Sequence, residues 1–140
     1  MKQAVFLVIT VAAAFLAAYL GLGYEATYRI GYGALTLMAA MISATFLMLW
    51  VARATPLALG MAFSWAGTSC VLGWWWLFNL LGRPMPMTES GILFGFLSLY
   101  FVGAILHFMV MQRSFGLAPG SFVVPVLLSI LASGLLHATI

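Results

Sequence analysis

The chain has 140 residues, of which 66% are hydrophobic and only seven are charged, five basic and two acidic. That composition belongs to the membrane class and leaves no room for a soluble catalytic domain. The absence of aspartate and the single asparagine, Asn79, exclude aspartyl dyads, Asp-containing triads and carboxylate-rich metal sites.

The net charge of +3 comes from isolated side chains, so the chain lacks the basic patch that nucleic-acid binding requires. Cys70 is the only cysteine, which rules out an internal disulfide or CxxC pair; between Ser69 and Val71 it reads as a small packing residue. Lys2, Glu25, Arg29, Arg53, Arg83, Glu89 and Arg113 punctuate apolar stretches. Each stretch is about the ~20 helical residues needed to cross a hydrocarbon layer of ~30 Å. Their spacing predicts an all-α polytopic bundle of about five transmembrane helices in a single domain, at about 4–22, 33–52, 56–81, 90–111 and 120–139.

The first 22 residues combine a basic start with an apolar run, as a signal peptide does, but the run is span-length and its small residues lie inside it. They are expected to form the first span, closed by Gly21 and Gly23. Tyr24, Tyr28 and Tyr32 follow at four-residue spacing, with Glu25 and Arg29 placed for an i,i+4 pair, and this segment is expected to be an interfacial turn. The second span ends at Arg53. Thr55-Pro56 then supplies a capping hydroxyl and a proline at the first helical position, so spans two and three form a tight antiparallel hairpin.

At about 26 residues, or ~39 Å, the third span exceeds the hydrocarbon thickness and must tilt or project. Its consecutive Trp74, Trp75 and Trp76 fall at interface depth and point about 100° apart, as a belt and not a stacking face. Pro84 and Pro86 break the chain, and Thr88, Glu89 and Ser90 offer caps for the fourth span. Pro119-Gly120-Ser121 opens the fifth, where Pro125 is expected to free the Ser121 carbonyl and kink the helix.

Lys2, Arg53 and Arg113 then share one side without an acidic residue, while Arg29 and Arg83 lie opposite with Glu25 and Glu89. The positive-inside rule predicts a cytoplasmic N-terminus, in a bacterial-type inner membrane. No internal repeat of the kind found in secondary transporters is visible.

Candidate chemistry is sparse. His107 and His137, the only histidines, lie near opposite faces by helix rise, which disfavours one haem between them. Soft thioethers suggest a Cu(I)-type site at Met85 and Met87, with His107 and Met111 as a second pair, although the other methionines are spread along spans as packing residues. Small residues four apart form the clearer pattern: Gly91 and Gly95 on span four and Ser69 and Gly73 on span three are the expected packing interface. Ser64, Thr68, Trp75 and Asn79, like Thr36, Ser43 and Trp50, align as stripes that either line a polar path or bond neighbouring helices.

Three functions fit. The first is a non-catalytic membrane subunit or assembly partner of a larger complex or self-oligomer, with the bilayer and another membrane chain as partners and no cofactor or metal. The second is a small channel or transporter for a neutral solute or soft metal ion. The third is an intramembrane enzyme using Arg83, Glu89 or His107 on a lipid-like substrate.

Overall fold

The computed structural model describes residues 2–139. These residues are all-α: α1 (Lys2–Arg53), α2 (Pro56–Leu80), a 3-10 turn (Met85–Met87), α3 (Ile92–Ser114) and α4 (Val123–Thr139), without a strand among the described residues. Three helical stretches are long and apolar enough to cross a membrane: Lys2–Arg53, Pro56–Leu80 and Met85–Ser114.

The 52-residue α1 is broken once, at Gly23, where φ 81° and ψ 171° lie in a region essentially confined to glycine. The chain folds back there. Phe15 on the first arm reaches Gly31 on the second, and Val11 and Met38 face the same cleft further from the bend. The tyrosine segment, expected from its amphipathic rings to be a turn, is instead helical and forms the first turns of the second arm. Its periodicity explains why: the Tyr24–Tyr28 and Tyr28–Tyr32 rings lie 6.1 and 4.3 Å apart, and Arg29 pairs with Glu25 at 2.6 Å. These i,i+4 contacts support a helix.

Other ends differ from expectation in detail. Thr55 precedes Pro56 as the N-cap, yet its hydroxyl makes no capping bond; its carbonyl instead accepts from the Ala58 and Leu59 amides. The N-cap of α3 is Gly91, with the Ser90 hydroxyl accepting from the Ile92 amide at 3.4 Å. Because α4 starts at Val123, Pro125 occupies its first turn, where a missing N–H breaks no helical bond. The expected kink does not arise, and the Ser121 carbonyl accepts from the Val124 amide.

α2 is the central helix, antiparallel to the second arm of α1 on one side and to α3 on the other. Its buried residues are Ala58, Gly60, Ala62, Gly67 and Gly73; those of α1 are Gly33, Thr36 and Ala39, and Gly103 is the one on α3. Among the described residues no large side chain is fully buried, while Phe6, Leu20, Val51, Phe94, Leu131 and many others face outward. A water-soluble fold of this size buries its large apolar residues. Here close backbone approach holds the helices together, which is how helices associate when the surrounding solvent is itself apolar.

Candidate functional site

Ser69 and Gly73 lie in the α1–α2 contact. The Ser69 hydroxyl donates to the Thr36 carbonyl at 3.0 Å, and Gly73 packs on the Thr36 methyl. Gly91 and Gly95 do not enter any helix contact: a Cβ at either would meet nothing within 4 Å. The glycines that bring α2 and α3 together are Gly60, Gly67 and Gly103. A Cβ at Gly67 would lie 2.5 Å from the Tyr100 backbone nitrogen, and one at Gly103 would strike the Ser64 backbone. Sequence reasoning passed over this face, although Gly60, Ser64 and Gly67 recur at helical intervals of four and three.

Members of the polar stripes bond to backbone, although the buried Thr36 hydroxyl has no partner and that of Ser64 faces His107. Ser43 donates to the Ala62 carbonyl at 2.8 Å, and Thr68 to the Ser64 carbonyl at 2.8 Å. Asn79 donates to the Trp75 carbonyl at 2.8 Å and to the Tyr28 hydroxyl at 3.4 Å. The three indoles diverge: Trp76 covers Gly33, Trp74 meets Phe96 edge-on at 6.0 Å, and the exposed Trp75 meets Phe78 at 5.6 Å.

His107 is half-buried against α2. Its Nδ1 lies 2.9 Å from the Gly103 carbonyl and 3.4 Å from Ser64 Oγ, and its Nε2 lies 2.7 Å from Met61 Sδ. The thioether in contact with the ring is that of Met61, and Met111, one helical turn on from His107, is 49% exposed. His107 and Met61 thus pack as neighbours across the α2–α3 contact. Met85 and Met87 sit beyond the opposite end of α2, Met85 exposed and Met87 half-buried, so they do not join His107. Among the described residues no three His, Cys, Asp or Glu side chains converge. His137 is exposed in the last turn of α4.

Two recesses adjoin at the end where α2 stops. Gly82, with φ 74°, terminates that helix in a Schellman motif: the Arg83 amide donates to the Phe78 carbonyl at 2.8 Å and the Gly82 amide to the Asn79 carbonyl at 3.5 Å. This turn sets Arg83 beside Tyr24, Glu25, Tyr28, Arg29 and Asn79 around a polar cup of about 590 Å³. The second recess is the apolar cleft of about 700 Å³ between the two arms of α1.

Comparison with protein-family models, with curated proteins and with solved structures found no match to the chain.

Proposed function

We propose that the chain is a small, non-catalytic integral membrane protein that serves as a subunit or assembly partner of a larger membrane complex or of an oligomer of itself. The observation that carries this reading is that two apolar helical segments bury none of their residues within the chain. α4 has no buried residue and packs substantially on no other helix, and the most apolar stretch of α1 is likewise unburied. Helical faces left exposed within their own chain remain available to another, because association in lipid depends on packing and hydrogen bonding, not on hydrophobic exclusion. The open Gly91/Gly95 face of α3 supports the same reading.

In this reading α1 crosses twice, once on each side of Gly23, α2 and α3 cross once each, and α4 makes the fifth crossing. Its 17 residues extend ~26 Å, close to the ~30 Å hydrocarbon thickness. Lys2, Arg53 and Arg113 face the cytoplasm across a bacterial-type inner membrane. A channel or transporter is less well supported, since Ser43, Thr68 and Ser69 donate to helix carbonyls instead of lining a path.

Photocrosslinking tests the proposal. A crosslinking residue replacing exposed Leu131 on α4 is expected to capture a discrete protein adduct in membranes, while one replacing buried Ala58 links only within the chain. Lipid adducts alone from Leu131 would count against it.

A further inference from the structure

The polar cup and the apolar cleft adjoin at Tyr24 and Tyr28, which wall both, so that polar and apolar linings meet in one recess at these rings. The cleft reaches from these tyrosines past Phe15 and Leu35 to Val11 and Met38. Tyr24 and Met38 are about 14 helical residues apart, a depth of ~21 Å, against ~15 Å for one leaflet's share of a ~30 Å hydrocarbon layer. An acyl chain entering from headgroup level would run between apolar side chains of both arms.

At the cup, Arg29 and Arg83 face the single carboxylate of Glu25, leaving one net positive charge. Glu25 holds Nη2 of Arg29, while Nε of the same guanidinium is buried without an acceptor. A buried donor left unmatched is costly, and arginine's fork of donors suits phosphate oxygens.

We propose that this recess binds one anionic phospholipid, its phosphodiester between Arg29 and Arg83 and one acyl chain in the cleft between the arms of α1. Charge complementarity selects this occupant. A zwitterionic lipid brings its own cation to a cup already in positive excess, and an apolar helix in the cleft would leave the arginines without an anion. The site goes beyond the subunit reading and does not depend on a protein partner.

Native mass spectrometry of the full chain, released from micelles containing phosphatidylglycerol and phosphatidylcholine with identical acyl chains, tests the assignment. One phosphatidylglycerol is expected to be retained about tenfold over phosphatidylcholine, the scale of one charge-assisted hydrogen bond. Arg83→Gln and Arg29→Gln are each expected to remove that preference. Ala34→Phe, which fills the cleft from an exposed position, is expected to lower retention of both lipids while leaving the cup intact. Arg83 is exposed, so its variant remains informative if Arg29→Gln fails to fold. Equal retention of the two lipids, a preference for phosphatidylcholine, a preference that survives Arg83→Gln, or displacement of the lipid by inorganic phosphate alone would each overturn the proposal.

Discussion

Phe15 and Gly31 touch across the bend of α1, equally distant along the chain from Gly23. A Cβ at Gly31 would come within 2.8 Å of the Phe15 ring, so the first arm lies back along the second. The reversal depends on the φ 81°, ψ 171° backbone of Gly23, which other residues adopt at a cost of ~1–3 kcal/mol. In lipid this decides whether α1 turns back or runs on.

Gly23→Val is therefore expected to open the bend. Spin labels at Val11→Cys and Met38→Cys, in a Cys70→Ser background, should report a short separation with Gly23 present. The separation should lengthen markedly in the variant. An unchanged distance would mean that the bend is held by something other than this glycine.

The two sets of glycines should behave oppositely. Gly67→Ala pushes a methyl into the Tyr100 backbone and is expected to lose ~1–3 kcal/mol, the usual cost of overpacking. Gly95→Ala adds a methyl to open space and should stay within about 0.5 kcal/mol of the parent. Unfolding midpoints in a mild detergent measure both.

Ser43→Ala and Ser69→Ala each remove an interhelical bond to a backbone carbonyl. Each is expected to cost ~0.6 kcal/mol, the average for such bonds in membranes. Solute flux through liposomes should be indifferent to both changes. Flux abolished by Ser43→Ala would point to a polar path instead.

Much of the architecture is written in where the charges and prolines fall. Arg53 and Pro56 bracket the turn between α1 and α2, and Arg113 closes the last turns of α3. The four-residue spacing of the tyrosines and the Glu25–Arg29 pair were legible, but the amphipathic rings read as a turn between spans, whereas they open a helix. Which of the two expected small-residue pairs meets a neighbour was not legible. Gly91/Gly95 on α3 has the same local spacing as Ser69/Gly73 on α2, but the rotation of each helix about its axis decides which face packs. That rotation is set by distant partners, such as Trp76 over Gly33 and Phe96 beside Trp74. The neighbour of His107 was equally hidden, since Met61 lies 46 positions away in sequence. The cup likewise exists only because the Schellman turn at Gly82 returns Arg83 toward Tyr28 and Arg29.

The partner-binding reading is tested most directly by native mass spectrometry of the untagged chain in gently solubilised membranes. The account predicts a constant protein companion, either another membrane chain or further copies of this one, that survives removal of bulk lipid. A lone monomer, with lipid as its only companion across mild extraction conditions, would contradict it.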